Sequence, residues 1–192
     1  MKKILLIRHG MTQGNAEKRY IGRTDEPLCP AGLAEAKALV AAKTLPPVGV
    51  IISSPLLRCR QTAETLFPGQ EFRIADDLAE CDFGHFEGRT ASDLAVDAEY
   101  RQWIDSGCKE PIPGGEDVTA FLGRSADAFS RELLALPENS AAAFVIHGGV
   151  IMAILERYAR PKHSYYEYHL GNCKYYVCLW KDGSLEITEW PA

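Results

Sequence analysis

Short apolar runs alternate with amphipathic stretches along this 192-residue chain, and that alternation constrains the fold more than any other feature. Ile4 to Ile7, Val48 to Ile52 and Ala141 to Ile146 are too short for helices and read as strands buried on both faces. Ala31 to Leu45 follows the first run with Leu33, Ala36, Leu39 and Val40 at helical spacing, and Pro46-Pro47 stops it. Ser53-Ser54-Pro55 offers an N-cap serine and a proline at the first helical position, which predicts a helix from Pro55 to Phe67. The third run passes through His147-Gly148-Gly149 into a helical pattern over Val150 to Tyr158. Strand, helix and strand in this order predict right-handed βαβ units. The expected class is α/β, a three-layer α/β/α arrangement whose central sheet is mostly parallel with helices on both faces. Cys173 to Trp180 and Leu185 to Trp190 flank Lys181-Asp182-Gly183-Ser184, so a C-terminal antiparallel hairpin is expected beside it.

At about 150 residues per domain, residues 1–192 form one domain. Within it, helices over Ala91 to Ser106 and Glu116 to Leu136 flank the breaker run Pro111 to Gly115, and the pair is placed as a lid. Residues 89–115 are the corresponding lid insertion. His9 to Pro30 is too long and polar for an idle connection and reads as a functional loop, and Asp76 to Gly88 as an acidic one. Lys and Arg number 21 against 26 Asp and Glu, a net charge of −5 with no basic run, which argues against a nucleic-acid partner. No segment approaches the roughly 20 apolar residues of a membrane span or resembles a leader, so a cytoplasmic protein is expected. The six cysteines contain no CxxC pair and read as free thiols, with Cys173 and Cys178 on opposite faces of a strand.

Two of the apolar runs end in the same pair of residues, His9-Gly10 and His147-Gly148. Ligands of open parallel sheets bind beyond the carboxyl ends of the strands, so neighbouring strands would bring both imidazoles into one crevice. Arg8 adjoins His9, and Arg58 lies one turn into the helix that follows the second run. A guanidinium stays charged and grips two phosphate oxygens in a fixed fork, so the pair describes a phosphoryl clamp. Backbone N–H groups at Gly10 and at the start of the helix after His147 add anion donors.

Arg8-His9-Gly10-Met11-Thr12-Gln13-Gly14-Asn15 resembles the RHGxTxxN signature of the histidine phosphatase superfamily, also called the phosphoglycerate mutase-like family. Gly22 to Leu28, Ser53 to Arg58 with Gln61-Thr62-Ala63, Glu80 to Gly88, Pro113 to Glu116 and Val145 to Gly149 follow in that family's order, over residues 3 to 160. The resemblance implies a phosphoglycerate mutase-like fold in which His9 is the nucleophile and becomes a phosphohistidine. It implies that Arg8, Asn15 and Arg58 hold the phosphoryl oxygens, that His147 donates to one of them, and that Gly148 offers a backbone donor. Glu80 is then the general acid, with Asp76, Asp77 and Asp82 raising its pKa against Arg8 and Arg58; read alone, it is a solvated loop carboxylate. Thr12 and Thr24 order the loop or touch substrate, and Glu87 braces the loop. His85, His163 and His169 read as surface or packing residues, and no metal or cofactor is expected.

Gln13-Gly14, Cys29 and Glu35 depart from the residues usual in relatives, which leaves the substrate open. Six of the eight tyrosines fall between Tyr158 and Tyr176, read as packing residues or as a pocket for a ring-bearing leaving group. The compact length is similar to the branch containing the α-ribazole phosphatases. The expected activity is phosphomonoester hydrolysis on a small phosphorylated metabolite, with α-ribazole phosphate as a candidate and a monomer or homodimer as the assembly. One alternative is a phosphoglycerate mutase, opposed by the single basic residue, Arg101, between Thr90 and Cys108. The other is a catalytically silent phospho-ligand or protein-binding module, opposed by the presence of every central group.

Overall fold

Four adjoining parallel strands form the centre of the sheet in the computed structural model, which describes residues 1–191. These are β1 (Lys2–Arg8), β2 (Val50–Ser53), β3 (Arg73–Ile74) and β4 (Ala141–Ile146), and β5 (Tyr175–Lys181) and β6 (Ser184–Glu189) add an antiparallel hairpin beside β1. The order across the sheet is β3-β2-β4-β1-β5-β6. Ile4, Leu5, Leu6 and Ile7 are all fully buried, each contributing about 1.5–3 kcal/mol of apolar transfer. They alternate between faces. Ile4 and Leu6 pack with Phe129 and Ile154, while Leu5 and Ile7 pack with Cys59, Ala63 and Leu66.

Those partners define the outer layers. After α1 (Gln13–Ala16), α2 (Pro30–Ala41) and α3 (Leu57–Leu66) cover the second face; α4 (Ala98–Asp105) intervenes before α5 (Val118–Leu134) and α6 (Gly148–Tyr158), which cover the first. The expected α/β/α layering and terminal hairpin are present. No helix among the described residues is long and apolar enough to cross a membrane.

Several boundaries differ from expectation for local physical reasons. The α3 helix starts at Leu57, with Leu56 rather than Ser54 at its N-cap; the Ser54 hydroxyl pairs with His147 at 2.7 Å and accepts the Leu56 N–H at 3.4 Å, ahead of the helix proper. The α2 helix ends at Ala41, and Lys43 turns the chain at a φ of 52° before the prolines are reached. The four-residue α1 and short 3-10 helices at Asp76–Leu78 and Gly84–Phe86 occupy segments read as loop. Cys173 precedes β5 instead of lying on it, yet it and Cys178 do pack on opposite faces, and all six thiols are free.

The helix pair read as a lid divides. Phe129 and Leu133 of α5 are fully buried against the sheet, so α5 belongs to a structural layer. Within 89–115 only α4 is an α-helix, starting at Ala98, where Asp97 accepts the Glu99 and Tyr100 N–H groups. Tyr100 and Trp103 dock it onto Phe86 at ring-centroid distances of 5.4 and 5.5 Å.

The register of β1 on β4 places the site. Arg8 lies opposite Ile146, and the His9 N–H donates to the Ile146 carbonyl at 3.0 Å. His9 and His147 therefore leave adjacent parallel strands at the same level. Ser53 of β2 pairs with Val145, which brings Ser54 to the same height on the other side.

Candidate active site

The two imidazoles converge, with ring centroids 5.1 Å apart and planes inclined by 65°. His9 Nδ1 lies 2.7 Å from the Gly10 carbonyl oxygen, which only accepts, so Nδ1 carries the proton. The Nε2 lone pair then faces Arg58, whose Nε–H donates to it at 3.3 Å. Burial, followed by Arg58 and Arg8, holds the His9 pKa well below the ordinary imidazole value, so the ring is neutral at pH 7. His147 is also held neutral, by burial and then by Arg58, and its Nε2 shares a 2.7 Å hydrogen bond with Ser54 Oγ.

Arg58 is fully buried beside them. Its Nη1 donates to the Thr24 carbonyl at 2.9 Å and its Nη2 to the Gly22 carbonyl at 2.8 Å. With Nε on His9, three of its five N–H bonds are committed to protein, so it is not the open two-oxygen fork expected from sequence. Arg8 is the more accessible cation. Its Nη1 donates to the Leu170 carbonyl at 2.6 Å, while Nε is buried with no acceptor among the described residues. Gly148 packs against this guanidinium: a Cβ there would lie 3.4 Å from Arg8 Nε. The Gly148 N–H opens α6, where helix geometry supplies no partner.

Glu80 is buried and bridges to the same helix start. Its Oε1 accepts the Cys81 N–H and its Oε2 the Gly149 N–H, both at 3.0 Å. Burial raises its pKa above the ordinary carboxyl value against the pull of those two N–H groups, Arg58 and Arg8. The nearby aspartates are not the cause, contrary to expectation. Asp77 pairs with Arg131 at 2.6 Å, and Asp82 accepts the Gly84 N–H at 2.9 Å.

Comparison with known proteins identifies the family. The sequence model of the histidine phosphatase superfamily (branch 1) matches residues 4–192. The chain belongs to the histidine phosphatase superfamily. Among curated relatives, the "Probable phosphoglycerate mutase GpmB" of Salmonella paratyphi B is 34% identical over 154 residues, covering 77% of this chain and 70% of that one. A phosphoglycerate mutase from Thermus thermophilus superposes with a TM-score of 0.75 at 30% identity, covering 99% and 98% of the two chains. The α-ribazole phosphatase from Shigella flexneri gives 0.87 at 23% identity, covering 99% and 96%, a likeness of fold. The activity class is phosphoryl transfer of the phosphatase or mutase type.

In this member of the histidine phosphatase superfamily, residues 9, 58, 80 and 147 meet as one cluster, with Arg8 and Asn15 at its edge. Asn15 lines a polar cleft with Arg8 and Asn172, and its Oδ1 accepts from Asn172 Nδ2 at 3.1 Å. Asn172 also donates to the His9 carbonyl at 3.1 Å and escapes a reading of the sequence, because a lone Gly-Asn pair signals only a turn. Ser54 reads as a helix cap for the same reason: its long-range partner is invisible to local spacing. Glu87 does brace the loop, accepting the Gly22 and Arg23 N–H groups and the Thr24 hydroxyl. Thr12 caps α1 and donates to Glu26 at 2.8 Å. His85, His163 and His169 lie on the exposed surface. The tyrosines divide: Tyr168 and Tyr176 are core, while Tyr165 and Tyr166 border a cavity that Glu80 also lines.

Gly22 is pinned between these groups. A Cβ there would sit 1.8 Å from the Cys81 carbonyl oxygen and 2.5 Å from Glu87 Oε1. Gly22→Ala is therefore expected to destabilise the fold by about 1–3 kcal/mol and to displace the carbonyl that holds Arg58. Urea unfolding with a parallel activity assay checks this; an unchanged midpoint would remove Gly22 from the account.

Proposed function

We propose that this protein is a phosphomonoester phosphatase that works through a phosphohistidine at His9. The observation that carries the reading is the His9 ring itself, its proton fixed on Nδ1 by Gly10 and its Nε2 lone pair inside a cationic cluster. When a phosphoryl group enters, the Arg58 Nε–H passes from Nε2 to a phosphoryl oxygen and frees the lone pair. The unpaired Arg8 Nε gains an acceptor in the same step, and Asn15, His147 and the Gly148 N–H complete the set of oxygen-facing groups. Nε2 then bonds to phosphorus as the ester P–O bond breaks, and Glu80 gives its proton to the departing alcohol oxygen. In the second half, Glu80 takes a proton from a water that attacks phosphorus; the N–P bond breaks, releasing inorganic phosphate and restoring neutral His9.

Water is favoured over a second alcohol as acceptor. The cavity reaching Glu80 has Lys109 as its single cationic lining residue, against what a phosphoglycerate carboxylate requires. The mutase reading has its own support in the names of the relatives at 30% and 34% identity. Hydrolysis of p-nitrophenyl phosphate in chelator tests the first reading. Interconversion of phosphoglycerates with bisphosphoglycerate present, faster than their hydrolysis, establishes the second. No turnover under either condition leaves the silent binding module. α-Ribazole phosphate belongs in the first substrate panel.

The proton inventory has a measurable consequence. Turnover needs neutral His9 and protonated Glu80, so the rate falls in acid as His9 gains a proton and in alkali as Glu80 loses one. The lowered His9 pKa moves the first limb toward acid and the raised Glu80 pKa moves the second toward neutrality. Glu80→Gln is expected to slow alkyl phosphates about 10²- to 10⁴-fold while slowing p-nitrophenyl phosphate much less, and to abolish the alkaline limb that Glu80 sets. Equal losses on both ester types would contradict the acid role.

A further inference from the structure

We infer that the cavity on the Glu80 side receives the alcohol portion of the substrate and selects phosphomonoesters of uncharged, ring-bearing alcohols. This rests on the phosphatase reading, because the acid must lie within hydrogen-bond reach of the leaving oxygen. Glu80 and Gly149, whose N–H holds Glu80, both line this cavity and neither lines the polar cleft beside Arg8. An alcohol whose oxygen meets Glu80 therefore extends into the cavity.

The cavity's size and walls specify what fits. Its volume is about 410 Å³, within the range of small-molecule sites. Trp103, Phe121, Tyr165 and Tyr166 present rings, and Ile112 and Met152 add aliphatic surface. Its ionisable residues are Glu80, Glu156 and Lys109; with Glu80 protonated as the acid, one carboxylate stands against one ammonium. A carboxylate on the alcohol thus meets no net positive charge and no free guanidinium. Arg124 does stack over Phe121, but it is bound to Glu116 at 2.6 Å and to the carbonyls of Asp77, Ala79 and Glu80.

The test compares kcat/KM for 2-phenylethyl phosphate, ethyl phosphate, O-phosphoserine and 3-phosphoglycerate on the wild-type protein. The phenylethyl ester is expected to exceed ethyl phosphate by about 10- to 100-fold, since both leave as simple primary alcohols protonated by Glu80 and differ in the ring the cavity covers. Both carboxylate-bearing esters are expected to fall below ethyl phosphate. Met152→Arg, which places a cation in the cavity wall, is expected to lower the phenylethyl-to-phosphoserine ratio at least about 10-fold. A phenylethyl-to-ethyl ratio near one, or preference for either acid, overturns the cavity assignment while leaving the phosphatase intact. Absence of turnover on these esters and on p-nitrophenyl phosphate overturns both.

Discussion

His9→Ala is expected to lower kcat on p-nitrophenyl phosphate by about 10⁴- to 10⁶-fold, the scale seen when a covalent nucleophile is removed from a group that acts as a unit. The residual rate would be that of water attacking a phosphoryl group held by Arg8 and Arg58. Folding should survive. The substitution removes one buried ring and leaves the Gly10 carbonyl and Arg58 Nε without their partner, a cost of about 1–3 kcal/mol for each group. Thermal unfolding of the variant separates lost chemistry from lost structure. A folded His9→Ala protein retaining more than about a tenth of wild-type turnover would remove His9 from the mechanism.

Arg58→Leu is the second large effect, and it is expected in two observables at once. The buried guanidinium holds the Gly22 and Thr24 carbonyls and donates to His9. Its loss leaves one buried and one part-buried acceptor unpaired, costing about 2–4 kcal/mol in total and lowering Tm by about 5–15 °C. It also removes a preorganised positive charge, which should reduce kcat/KM about 10²- to 10³-fold. The sign of the pH effect is specific. Arg58 is the largest charge-based contributor to the low His9 pKa, so its removal lets that pKa rise toward the ordinary imidazole value and moves the acid limb to higher pH. A variant with lower stability but an unmoved acid limb would show that Arg58 only scaffolds the loop.

The central strands and both histidines are legible in the sequence because β1 and β4 are buried on both faces and therefore written as uninterrupted apolar runs. The identical His-Gly endings carry the convergence, and the β1–β4 register explains why it works: residues 9 and 147 occupy equivalent positions beyond paired strands. What is illegible depends on partners distant in sequence. Ser54 has the local signature of a cap but commits its hydroxyl to His147, 93 residues away. Arg58 reads as a free fork because no pattern shows that the Gly22 and Thr24 carbonyls would claim it. Glu80 sits among aspartates, which suggests charge repulsion; burial against α6 is what raises its pKa. The two-residue β3 is exposed, so Arg73 and Ile74 carry no alternation to detect.

The stereochemical course at phosphorus addresses the phosphohistidine directly. With a monoester made chiral at phosphorus by oxygen isotopes and hydrolysed in isotopic water, two successive in-line displacements, first by His9 Nε2 and then by water, give net retention. Net inversion would mean that water attacks the ester in a single step, and the covalent role of His9 would be wrong.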